Sequence, residues 1–321
     1  MSTQQKPRVL CTDWPPPSDV SDLPAAAFLR STLWERGQTI TISFIDRRAE
    51  PWKKAWVKKV VTEMVQPYVN LKLVFGDAGE QADIRITFAH ENSAYSRLGT
   101  QSTWYKGSNE QPESMNLGWL DEPHRGSFTF EGVTYQFPGC TYCSKNTNGS
   151  VIIHEFGHAL GMVHEHQNPK GGIQWDESAV MRYFKGAPNY WNEEQIRFNV
   201  MDKYDSSLLN ASEYDPKSIM LYAFPASLTT NGVGTQANSV MSPTDIKWMA
   251  KVYGEVGEKK KKKKKVVTEG GVVMDADDEE ASKTRKKKKT GVVVGVTLSV
   301  VALVGVVLAV VLMRKKRKVF Y

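Results

Sequence analysis

The chain has 321 residues, 40% hydrophobic and 24% charged, with a net charge of +7 and a pI near 9.1. The positive excess lies at one end: residues 258–321 hold 18 Lys/Arg against 7 Asp/Glu, whereas residues 1–257 hold 24 against 28. A mildly acidic main part argues against a nucleic-acid binder, and three cysteines (Cys11, Cys140 and Cys143) are too few for a disulfide framework and fit a reducing compartment.

Residues 1–27 read as an N-terminal segment, and Met1 to Pro17 shows no apolar signal core. Thr39 to Ile45 alternates apolar and polar residues, as a half-buried strand does. Pro51 opens a helix expected to run to Val69, with Trp52, Trp56, Val60 and Met64 near helical spacing. Leu71 to Phe75 and Asp83 to Phe88 are further strands; Tyr95 to Thr103 and Ser114 to Trp119 are weaker candidates. A strand–helix–strand crossover is parallel and right-handed, so the sheet should be mixed. Its edge strand could pair with an extended peptide, and Ser114 to Trp119 is the expected edge. Residues 121–147 look like a loop-rich insertion, either a variable surface loop or a rim over a cleft. The lone Cys140-Thr-Tyr-Cys143 within it reads as a local disulfide or two free thiols. Asn148-Gly-Ser150 then offers capping residues for a helix.

Residues 154 to 164 read His-Glu-Phe-Gly-His-Ala-Leu-Gly-Met-Val-His, the form H-E-x-x-H-x-x-G-x-x-H. Positions four apart on a helix lie about 40° apart, so His154 and His158 can present imidazoles to one metal ion. His164, six residues on, would sit roughly 240° around a continued helix. The helix must therefore stop, and Gly161 can turn the chain cheaply because it tolerates positive φ. Three neutral nitrogens on Zn²⁺ leave a position open for water. Glu155, beside the first ligand, is placed to take a proton from that water. One catalytic zinc is the cofactor this pattern implies.

Downstream lies Tyr214-Asp-Pro-Lys-Ser-Ile-Met-Leu-Tyr222. Here the chain resembles the metzincin metallopeptidases, which pair the long zinc motif with a Met-containing turn. Ser218-Ile219-Met220-x-Tyr222 is most similar to the astacin-type branch, and Glu165 follows the third His as it does there. The resemblance spans roughly residues 28–254, with its specific motifs at 154–169 and 214–222; Leu221 stands where astacins usually carry a His. It implies Met220 as a hydrophobic floor beneath the metal, Tyr222 as the group that reaches the metal or the developing oxyanion, and Glu165 as an organiser of the site floor. It also implies an α+β fold: a twisted mixed five-stranded sheet with two long helices over a mostly helical or irregular C-terminal subdomain. Cys11 is either an ordinary thiol or a latency switch on the open metal position, as in some metzincins. The implied activity is hydrolysis of peptide bonds in a peptide or protein substrate by a zinc endopeptidase. Two competing classes are a peptide-binding protein that keeps the fold without catalysis, and a protein with a purely structural zinc.

Ser242 or Thr244 should cap a helix running to about Tyr253. The expected domain, residues 28–256, is followed by a charged, disordered linker at 257–290 with the lysine run Lys259 to Lys265. Residues 291–313 are 23 uncharged, mostly apolar residues, about 35 Å as a helix and enough to cross a bilayer core of about 30 Å. A basic tail, 314–321, closes the chain. The expectation is a single-pass membrane anchor at the C-terminus with the catalytic part on the cytosolic side; basic flanks on both sides leave the orientation open.

Overall fold

A computed structural model describes residues 32–91, 93–120, 126–137, 149–187, 189–203, 213–257, 265–267 and 273–275. Cys11, Cys140, Cys143 and the apolar stretch 291–313 lie outside the described residues.

Strand β1 (Thr39–Phe44) runs into helix α1 (Pro51–Val60), which returns the chain to β2 (Lys72–Phe75), parallel to β1. Pro51 stands in the first turn of α1, where its missing N–H costs nothing. The helical path continues beyond Val60 through a wide turn, Val61–Val65, closed by Gln66 N–H on the Val61 carbonyl, and a tight turn, Gln66–Tyr68. Pro67 cannot donate to the preceding turn, which is why regular winding ends near it. Then come β3 (Ile84–Thr87), β4 (Ala94–Ser96) and β5 (Met115–Leu117). The sheet order is β2-β1-β3-β5-β4, with β4 antiparallel to β5 and every other pair parallel. The expected five-stranded mixed sheet is present, but one strand changes place. The segment Ser114 to Trp119, expected at the edge, instead supplies β5 inside the sheet, between β3 and β4, and β4 forms that edge. Residues Gly99–Thr103, expected as strand, form a tight helical turn.

Arg85 pins the long connection between β4 and β5 to the sheet. It is wholly buried, and its guanidinium donates to the carbonyls of Ser102 and Trp104 at 2.8 Å and to that of Pro112. Burial, and then the neighbouring Arg97, hold its pKa down at about 10. Strands β6 (Ser127–Phe130) and β7 (Val133–Gln136) form a hairpin. Phe128 and Phe137 pack on Trp52 and Trp56 of α1, with ring centroids 5.1–5.8 Å apart. The described part of the 121–147 insertion, residues 126–137, thus covers α1 as a packed hairpin.

Helix α2 (Ser150–Ala159) lies against the sheet beside β4 and β5. Its N-cap is Gly149 at φ +74°; Asn148, one of the expected capping residues, lies outside the described residues. A Cβ at Gly149 would stand 2.6 Å from Val60 Cγ2, so the start of α2 presses against α1 too closely for any other residue. The core between sheet and helices contains Ile40, Ile42, Ile84, Ile86, Ile152, Ile153 and Phe156, all wholly buried.

Below α2, helix α3 (Glu177–Lys185) is capped by Asp176 and helix α4 (Glu193–Ile196) by Asn192. They build a second cluster of Val180, Phe184, Trp191, Ile196 and Val200 with Tyr222, Phe224 and Leu228. Helix α5 (Pro243–Tyr253) starts at Ser242 with a reciprocal Ser242–Asp245 capping box. Within the stretch expected to be a structureless linker, β8 (Lys265–Val267) and β9 (Val273–Asp275) form a short antiparallel pair. Val266, Val267 and Val273 are β-branched and suit a strand. Among the described residues, no helix is long and apolar enough to cross a membrane.

Candidate metal centre

Helix α2 ends at Ala159, and the chain turns at Gly161, whose φ is +86°. Gly161 N–H donates to the His158 carbonyl (2.7 Å) and Met162 N–H to the Gly157 carbonyl (2.9 Å). These two bonds define a Schellman turn with glycine in its left-handed position. The remaining carbonyls of the helix end are taken by distant side chains: Trp34 Nε1–H reaches Ala159 O at 2.8 Å and the Tyr253 hydroxyl reaches Leu160 O at 2.7 Å. A terminus satisfied on all sides can stop in one place.

The turn brings three imidazoles together. His154, His158 and His164 each offer one ring nitrogen, and the three lie within 4.8 Å of one another. His154 Nδ1 is 2.9 Å from the Ile219 carbonyl, and His158 Nδ1 is 2.9 Å from the Met162 carbonyl. A carbonyl only accepts, so both Nδ1 atoms carry the proton and both Nε2 atoms present a lone pair suited to a metal. His158 Nε2 and His164 Nε2 are 3.0 Å apart, close to the roughly 3.3 Å between two nitrogens bound to one tetrahedral zinc at about 2.0–2.1 Å. The donor set, its spacing and its outer hydrogen bonds fit one zinc ion.

Glu155 lies in α2 between the first two histidines and is 1% exposed. Tyr222 places its hydroxyl 2.5 Å from His164 Nε2, which puts the phenol inside the space the ligands share. Met220 is buried beneath α2; a Cβ at Gly157 would meet its sulfur at 2.6 Å. Gly157, in the middle of the motif, is thus the gap that lets the methionine approach. Glu165 ties the ligand turn to the downstream segment. Its carboxylate accepts from Asp215 N–H (2.8 Å) and Asn168 Nδ2 (3.0 Å), and its own N–H donates to Met220 O (3.1 Å). Burial pushes the Glu165 carboxyl up to about 7, against those hydrogen bonds.

Two site residues carry no mark in the sequence. His166 is buried against Tyr222, rings nearly parallel at 4.9 Å, and its Nε2–H donates to Asn199 O at 3.0 Å. Asp245, at a helix start, also reaches the methionine turn: it accepts from the Ser218 hydroxyl (2.8 Å) and Ile219 N–H (2.9 Å). Burial pushes its carboxyl above the ordinary value, and these hydrogen bonds pull the other way.

The comparison with known families gives a match to Astacin, a peptidase family, over residues 140–254. Among solved structures, a structure of myroilysin is 36% identical, spans 70% of this chain and 97% of that one, and superposes with a TM-score of 0.57. The chain belongs to the astacin family. A second myroilysin crystal structure is 33% identical, over 70% of this chain and 86% of that one, with a TM-score of 0.46. High choriolytic enzyme 1, a hatching enzyme zinc-protease from Oryzias latipes (medaka fish), is 17% identical over 70% of this chain and 94% of that one, with a TM-score of 0.41. No curated protein sequence matches. This astacin is a zinc metalloendopeptidase with one catalytic zinc, and the three-histidine cluster is where the described residues would hold it.

Proposed function

We propose that this astacin cleaves peptide bonds with Glu155 as general base and Tyr222 as the donor to the developing oxyanion. The observation that carries it is the Tyr222 hydroxyl 2.5 Å from His164 Nε2, in the space shared by three histidines that flank Glu155 in sequence. Zinc, when bound, supplies Lewis acidity and makes water a nucleophile at neutral pH. Glu155 takes the proton from the attacking water and hands it to the leaving amine. The Tyr222 hydroxyl donates to the tetrahedral oxyanion as charge builds there. Met220, packed into the gap at Gly157, holds an apolar floor. Cleavage of a quenched peptide library should vanish with a chelator and return with zinc. Glu155→Gln should retain one zinc per chain and lose cleavage by at least about 1,000-fold. Full activity in that variant would remove Glu155 from the mechanism.

We infer further that residues 291–313 anchor the enzyme to a membrane as a single C-terminal helix. The support is sequence alone: 23 uncharged, mostly apolar residues bounded by Lys283 to Lys289 and Arg314 to Lys318.

A further inference from the structure

The methionine turn carries a directional chain of hydrogen bonds that ends on a metal ligand. Asp245 Oδ1 accepts the Ser218 hydroxyl proton at 2.8 Å. Ser218 Oγ, with its proton given away, accepts Met220 N–H at 3.1 Å. That N–H belongs to the same peptide unit as the Ile219 carbonyl, and this carbonyl accepts the His154 Nδ1–H at 2.9 Å. Carboxylate, hydroxyl, peptide and imidazole thus stand in one line, each donating toward Asp245.

Helix capping does not account for this arm. The capping box of α5 uses Asp245 Oδ2, which accepts Ser242 N–H at 2.9 Å, and Ser242 Oγ, which accepts Asp245 N–H at 3.0 Å. Oδ1 and Ser218 are not needed for it. The line is also dry: Asp245 is 4% exposed and Ser218 1%. In a low-dielectric setting each bond polarises the next. A peptide whose N–H is held puts more negative charge on its oxygen, which grips the Nδ1–H harder and raises the basicity of Nε2. Metal-bound histidines commonly gain this from a carboxylate touching the ring directly.

We propose that Asp245 and Ser218 are positioning residues of the metal centre: a carboxylate relayed through a hydroxyl and a peptide unit that sets the tautomer, ring orientation and basicity of His154. The inference rests on His154 being a zinc ligand. It gives Asp245 two jobs: Oδ2 caps α5 and also holds Ile219 N–H, while Oδ1 carries the relay through Ser218.

The test measures zinc affinity of the full chain by competition with a chromophoric chelator, together with Tm. Ser218→Ala and Asp245→Asn should each weaken zinc binding about tenfold, the low end for an outer partner of a metal ligand. Ser218→Thr restores the hydroxyl and should restore most of the affinity. Ser242→Ala removes the cap and the hydroxyl's bond to Asp215 Oδ2 (2.6 Å) and leaves the Asp245 Oδ1–Ser218 arm in place; it should lower Tm and leave zinc affinity within about twofold. In the zinc-loaded protein the His154 Nδ1–H proton resonance should move upfield in Asp245→Asn and stay in place in Ser242→Ala, a readout available even if Ser218→Ala does not fold. Unchanged affinity in folded Ser218→Ala, an equal loss in Ser242→Ala, or an unmoved His154 resonance in Asp245→Asn would overturn the relay while leaving the peptidase reading intact. A wild-type chain that binds no zinc would overturn both.

Discussion

Tyr222 shows how little of a residue's role is written in its neighbours along the chain. It is 7% exposed, its hydroxyl is 2.5 Å from His164 Nε2, and its ring stacks on that of His166, far upstream in sequence. Donating to an oxyanion matters only as charge builds, so its removal should act on turnover. Tyr222→Phe should lower kcat about 100-fold with KM nearly unchanged and zinc content intact, read from steady-state kinetics on one peptide. A rise in KM alone would make the phenol a ground-state binding group instead. The three histidines and Glu155 are legible in the sequence because their spacing, on a helix of fixed pitch, is itself geometry. His166 is not: its partners Asn199, Tyr222 and Phe224 come from other segments, and nothing at positions 164–168 names them.

At the scale of elements, α2 is set by both of its ends. Its C-terminal break follows from arithmetic, because a six-residue gap cannot keep a third ligand on one helical face. Its start does not: Gly149 is there because Val60 of α1 comes within 2.6 Å of where a Cβ would sit, a tertiary fact. Gly161→Ala should cost about 1–2 kcal/mol for the left-handed backbone, with the new methyl also 2.9 Å from Leu33 Cδ2. Denaturant unfolding would measure the loss, and wild-type stability would show that the turn relaxes without strain. The strand that sequence places at the edge teaches the same lesson. Met115–Leu117 has the alternation of a strand, but alternation says nothing of which neighbours it takes, and β4 supplies the outer edge.

At the scale of the molecule, the metal centre lies where two apolar clusters meet: Met220 belongs to the core beneath the sheet, and Tyr222 to the cluster built by α3 and α4. If 291–313 is an anchor, the full chain should pellet with membranes and resist carbonate extraction, while a version ending at residue 257 stays in the supernatant; equal partitioning of the two would dismiss the anchor. Sequence by itself determined the candidate metal-binding residues and the helix break, because ligand number, pitch and glycine's conformational range are local constraints; the class of reaction came from the likeness of its motifs to a known family. Only the tertiary structure decided the order of strands, the role of Gly157 and Gly149 as gaps, and the reach of Asp245 across 26 residues to the methionine turn. Those depend on close approach between distant segments, and close approach is a property of packing that no single segment encodes.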